Sequence, residues 1–104
     1  MAAILVLITT PDLRTAKRIA KSLVTQKLAA CVSLKDGFVS TYRWQGKIES
    51  ALEVMLFIKT SKKAFAKVKR FVQKVHPYDL PEILALPVAN GSPEYLKWLN
   101  DSLK

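Results

Sequence analysis

The chain is predicted to adopt an α+β fold in which two strand–helix units flank a long central hairpin and a last helix follows. Three observations predict it. Short β-branched runs alternate with amphipathic segments, giving the order β-α-β-β-α-β plus a terminal helix. Both long helical segments are apolar on one side and cationic on the other. No linker, repeat or low-complexity stretch interrupts the 104 residues, so a single domain is expected over residues 1–104.

The elements follow in order. Ala3 to Ile8 is a strand-length apolar run, closed by Thr9, Thr10, Pro11 and Asp12. Thr10 is expected to cap the next helix, with Pro11 at its first position and Asp12 facing the positive end of the dipole. Leu13, Ala16, Ile19, Ala20, Leu23 and Val24 then recur at helical spacing, while Arg14, Lys17, Arg18 and Lys21 take the other face. Leu28 to Leu34 and Phe38 to Trp44 read as one strand bulged at Asp36-Gly37. An Asp-Gly hairpin there would leave two very short strands. Trp44 to Lys47 reads as a tight turn with Gly46 at positive φ, and the return strand runs from Lys47 to about Lys59. Ser61 opens the second helix and His76-Pro77 ends it, because the residue before proline avoids the α region. Pro81 to Val88 holds a last strand, placed on an edge by its two prolines. Ser92, Pro93 and Glu94 start the final helix. This order is the split βαβ, or ferredoxin-like, sandwich with an extended central hairpin.

Such a sheet has helices on one face only, so strands with a solvated second face should alternate apolar and polar residues. Ile4 to Ile8 and Val54 to Ile58 do not alternate. A second layer is therefore required, partly from the terminal helix and mainly from another copy of the chain. The hairpin, two to three times the usual strand length of about 5–6 residues, would pair with a neighbour and close a homo-oligomeric ring.

Composition narrows the function. The longest apolar run, Ala2 to Ile8, is far short of the roughly 20 residues that span a bilayer. It lacks the basic start and small-residue cleavage site of an export signal. No membrane association is expected, and a soluble, cytoplasmic protein is. One cysteine, Cys31, rules out an internal disulfide framework. Seventeen Lys and Arg against eight Asp and Glu give +9, a balance that bears on association rather than on fold. The second helix, with Lys62, Lys63, Lys67, Lys69, Arg70 and Lys74, is the one feature favouring nucleic acid. Sheet-based RNA readers stack bases on exposed rings, whereas the central strands here offer aliphatics apart from Phe57, so nucleic acid is not an expected partner. No phosphate-binding glycine loop is present. A Cys31–His76 couple would lack a third orienting group, so no enzymatic activity is expected.

Metal chemistry is sparse within one chain. Copper favours imidazole or sulfur and wants several ligands, and the chain offers His76, Cys31, Met55 and a few carboxylates. Cys31 lies in an apolar strand, where a small buried residue is expected. His76 closes a helix, where its ring can bond a carbonyl.

Six motifs occur in order: Leu28-Ala-Ala-Cys-Val32, Tyr42-Arg-Trp-Gln-Gly-Lys-Ile-Glu49, Ile58-Lys-Thr60, His76-Pro-Tyr-Asp-Leu-Pro-Glu82, Leu86-Pro-Val88 and Tyr95-Leu-Lys-Trp-Leu99. Together they closely resemble the CutA family of divalent-cation tolerance proteins over essentially the whole chain. The resemblance implies a ferredoxin-like homotrimer and a role in tolerance of copper and other divalent cations, by binding rather than catalysis. It also implies likeness to PII signalling proteins, whose clefts between subunits bind small molecules. The family's metal ligands, a cysteine late in the first strand and two adjacent histidines before Pro-Tyr, fall here on Ile8, Val75 and His76. Only His76 is retained, so His76 and Cys31 are the candidate metal ligands and the family's site is not kept intact. Within the family-like motifs, Tyr42, Trp44, Glu49, Lys59, Tyr78 and Trp98 mix aromatics and charges as a small-molecule cleft does. Glu49 and Lys59 lie near opposite ends of one strand, so a shared cleft would have to form between chains. A small anionic ligand held there is the alternative to a metal ion.

Overall fold

A computed structural model describes residues 2–104. Its elements are β1 (Ala3–Thr10), α1 (Leu13–Thr25), β2 (Cys31–Trp44), β3 (Lys47–Ser61), a 3-10 turn (Lys62–Ala64), α2 (Phe65–Val75), β4 (Leu84–Pro87) and α3 (Pro93–Ser102). The sheet order is β2-β3-β1-β4, antiparallel throughout. The expected ferredoxin-like sandwich is the fold observed, with β4 on an edge but only four residues long.

Register explains which residues form the core. Val6 pairs with Ile58 and Ile8 with Leu56, and all four side chains are fully buried against α1 and α2. Ala16, Ile19 and Leu23 from α1, with Val68 and Val72 from α2, fill the same layer. Thr60 is buried on this face because its hydroxyl donates to the Leu28 carbonyl at 2.6 Å. The other face carries Leu5, Leu7, Met55 and Phe57, all half-buried, with Leu84 and Leu86 more exposed beside them. α3 covers one end of that face, where Leu99 packs with Ala3 and Ala30.

The hairpin is as long as expected, and β2 slips register between Lys35 and Phe38 with Gly37 at φ 86. The bulge at Asp36-Gly37 is thus present. Gln45 (φ 49) and Gly46 (φ 79) make the two-residue turn, whose positive φ values match strand twist. Val39, Ile48 and Leu52 are 63–70% exposed along the ribbon, which reaches past the helices and stretches the molecule to 45 × 26 × 23 Å.

Four boundaries differ from expectation. Thr10 stays in β1, paired with Val54, and its hydroxyl donates to the Asp12 carbonyl. Asp12 is therefore the cap of α1, accepting the Thr15 N–H at 2.8 Å, and Pro11 precedes the helix. β2 begins at Cys31 because Leu28 and Ala29 are spent closing α1, donating to the Leu23 carbonyl. Lys27, at φ 59, makes this closure in the left-handed region that usually takes glycine. Ser61 caps a 3-10 turn before α2 starts at Phe65. Val24, placed inside by helical spacing, is 43% exposed, since α1 ends one residue later and the sheet does not reach it.

Lys27→Gly is expected to raise the unfolding free energy by roughly 0.5–1 kcal/mol. That is the left-handed cost of ~1–2 kcal/mol less the entropy of a freer unfolded chain. Leu56→Ala should lower it by about 2–5 kcal/mol. Urea titration of both variants checks the two signs.

Candidate functional site

The segment from His76 to Ile83 crosses from α2 to β4 and is tied to the sheet at two points. His76 is buried, with Nε2 2.7 Å from the Thr9 carbonyl and Nδ1 accepting the Tyr78 N–H at 3.1 Å. A carbonyl can only accept, so Nε2 carries the proton and the ring is neutral. Both ring nitrogens are engaged within the chain, and a metal at either would have to displace a hydrogen bond.

The second tie is Tyr78, whose hydroxyl donates to Glu53 Oε2 at 2.9 Å. Glu53 is buried beneath the segment. Removal from water pushes the Tyr78 phenol up to about 12, and the Glu53 carboxylate that accepts its hydrogen bond adds to the shift. Glu82 titrates above the usual carboxylate range, through burial first and the charge of Glu53 second.

These ties build a cleft of about 780 Å³ between the outer half of the hairpin and the 76–83 segment. Tyr42, Trp44, Glu49 and Tyr78, four of the expected cleft residues, line it together with Glu53, Asp79, Glu82 and Thr9. Paired register explains the grouping: Tyr42 faces Glu49 and Trp44 faces Lys47 on one side of the ribbon. The lining holds four of the chain's eight carboxylates and no Lys or Arg. Among the described residues, no three His, Cys, Asp or Glu converge closely enough to hold a metal ion.

Lys59 and Trp98 do not join this cleft. Ten residues of strand separate Lys59 from Glu49, about 33 Å. Lys59 instead donates to Ser33 Oγ at 2.8 Å and approaches Cys31 Sγ at 3.7 Å. Cys31 is half-buried on the half-open sheet face beside an ammonium group rather than enclosed by apolar neighbours, because its strand pairs it with Lys59. It lies in a different region from His76, so the two candidate ligands do not meet in one chain. Trp98 sits on α3, half-exposed and tilted against Tyr95 with ring centroids 5.4 Å apart.

Glu53, Asp79 and Glu82 escaped the sequence reading as site residues. Glu53 had a signal: it is a lone acid between apolar neighbours in a central strand. Asp79 and Glu82 lay in plain view in a proline-flanked motif, but nothing in one dimension brings them to β3.

The family described as CutA1 divalent ion tolerance protein matches residues 4–102. A divalent-cation tolerance protein CutA from Thermus thermophilus is 50% identical over 97 residues, covering 93% of this chain and 94% of its own. A protein of the same description from Pectobacterium atrosepticum is 44% identical over 102 residues, covering 98% and 93%. The crystal structure of CutA from Xylella fastidiosa is similar with a TM-score of 0.95 at 45% identity, covering 98% of each chain. That of CutA1 from Oryza sativa gives 0.96 at 39% identity, covering 98% and 94%.

If the phenol is held as described, the Tyr78 proton is retained in the folded state above its ordinary pKa of 10.0. Its contribution to stability is then full below pH 10 and lost as pH rises through about 12. Tyr78→Phe should remove that part of the alkaline destabilisation. An ultraviolet titration of the phenols should lose its highest-titrating component.

Proposed function

The chain belongs to the CutA1 divalent ion tolerance family, and on that premise we propose that it is a homotrimer that binds divalent cations in clefts between its subunits. Cation binding, rather than chemical transformation of a substrate, is the role the residues support. The observation that carries this reading is the cleft lining: four carboxylates and no cationic side chain in a chain of net charge +9.

Carboxylate, phenol and hydroxyl oxygens attract divalent cations. Their spacing leaves coordination incomplete within one chain, so a neighbouring copy or water supplies the rest. The apolar face of Leu5, Leu7, Met55 and Phe57, which α3 covers only at one end, is the surface that three copies would share. The projecting ribbon would carry the cleft to the neighbouring subunit. Copper is the first ion to test, as the family resemblance implies. His76 can serve it only by giving up its bond to Thr9 or to Tyr78. Cys31 could join only across a subunit boundary.

The alternative, a PII-like module for a small anionic ligand, requires cations where this cleft has carboxylates. It draws support only from the overall positive field, which steers anions toward the molecule without holding them in this cleft.

Light scattering should give a native mass three times that of the chain, and Phe57→Glu should shift it toward one chain. Calorimetric titration with copper, zinc and a nucleotide panel should show uptake of metal and none of nucleotide. The double variant Glu49→Gln, Glu53→Gln should weaken metal uptake roughly 10-fold. Uptake should also decline as pH falls, beginning above the ordinary carboxylate range because Glu82 titrates high. Loss of copper uptake in His76→Ala, with the glutamate variant unaffected, would move the site to the imidazole and overturn the carboxylate assignment.

A further inference from the structure

Positive charge on this molecule is gathered on one layer. Residues 13–25 carry four Lys or Arg and residues 62–75 carry six, with no Asp or Glu in either stretch. All ten of these side chains are exposed. The ion pairs present among the described residues are Lys97–Asp101 and Lys104–Asp101, both at α3. None of the ten is therefore neutralised within the chain.

A solvated helix ordinarily intersperses acids four residues from its bases. Here the positions four apart are like pairs: Arg14 with Arg18, Lys17 with Lys21, Lys63 with Lys67, and Arg70 with Lys74. Each such pair is repulsive. One row, from Lys63 in the 3-10 turn to Lys74 in α2, runs about 16 Å, and the other, from Arg14 to Lys21 on α1, about 10 Å. Helices packed side by side on one sheet face lie ~8–10 Å apart. Lys67, Arg70 and Lys74 edge a shallow depression of about 520 Å³ beside Gln26, Leu28 and Phe71.

We propose that the outer surface of α1 and α2 docks the phosphate backbone of duplex DNA without reading its sequence. A duplex presents a dense, regular line of negative charge, about one per 1.7 Å of axis, and it would relieve the repulsion stored in both rows. An anionic bilayer is the less suited partner. A helix that lies on a membrane sinks its apolar face below the headgroups. Here Ile19, Leu23, Val68 and Val72, which would do so, are buried against the sheet. Of the large hydrophobics on these two helices, only Val24 and Val75 are exposed. The aliphatic character of β1 and β3 bears on base stacking and leaves this surface untouched, because backbone contacts need charge and no rings. The proposal is independent of the acidic cleft, since the two sites share no residue.

Fluorescence anisotropy with an arbitrary labelled duplex of about 20 base pairs, in salt from about 50 to 300 mM, tests it. The expected result is binding whose logarithm falls with log salt at a slope of roughly −4 to −6, as for about five or six phosphates. Changing Lys67, Arg70 and Lys74 together to Glu should weaken binding roughly tenfold or more, and changing them to Gln should weaken it less. Arg43→Glu with Lys47→Glu at the hairpin tip should leave it within about twofold. No binding at about 50 mM salt would overturn the proposal, as would equal losses from the hairpin and helix variants. So would capture by phosphatidylserine vesicles that the duplex fails to compete away.

Discussion

The constraint on which this structure rests is that its two central strands are apolar on both sides. β1 and β3 pair along their shared length, and every second residue meets α1 and α2 in a sealed layer. The residues between them, Leu5, Leu7, Met55 and Phe57, face a side that α3 closes only at one end. Burial of apolar area is the dominant favourable term in folding, so a sheet left half-covered has an unspent driving force for association. The long ribbon of β2 and β3 follows from the same condition. It extends the sheet beyond what the helices of one chain can cover, and its exposed Val39, Ile48 and Leu52 have no cover within that chain.

The cleft is a by-product of how the connection from α2 to β4 is held down. His76 fastens it to the Thr9 carbonyl and Tyr78 fastens it to Glu53. Fastened in this way, the segment brings Asp79 and Glu82 opposite the outer half of the ribbon, where Glu49 and Glu53 already stand. The histidine thus acts as a neutral strut inside the chain. The shifts at Tyr78 and Glu82 share one origin, the removal of polar groups from water around a buried carboxylate.

Net charge conceals a segregation. Half of the acidic residues collect at the cleft, while the helix layer holds ten bases and no acid. A molecule divided in this way offers two surfaces of opposite character. The acidic surface is a concave, partly desolvated pocket, where charge interactions are strong. The basic surface is a solvated layer, where any attraction depends on the number of contacts and on salt.

Element order, the bulge at Gly37, the turn at Gln45-Gly46, the edge position of β4 and the need for a cover on the second sheet face were all legible in the chain. Each depends on periodicity, on glycine or proline stereochemistry, or on a count of apolar residues, and such properties are local. The family resemblance, too, was legible in six short motifs. The capping of α1 by Asp12 was not, because β1 continues to Thr10 only when β3 is there to pair with it. The cleft was half legible: Tyr42, Trp44, Glu49 and Tyr78 were recognisable as a set, yet Lys59 and Trp98 belonged elsewhere and Glu53, Asp79 and Glu82 belonged with them. Tertiary structure alone decided that membership, since it depends on which side of a strand each residue takes and on where a connecting segment is pinned. Contacts between residues far apart in sequence leave no periodic trace along the chain.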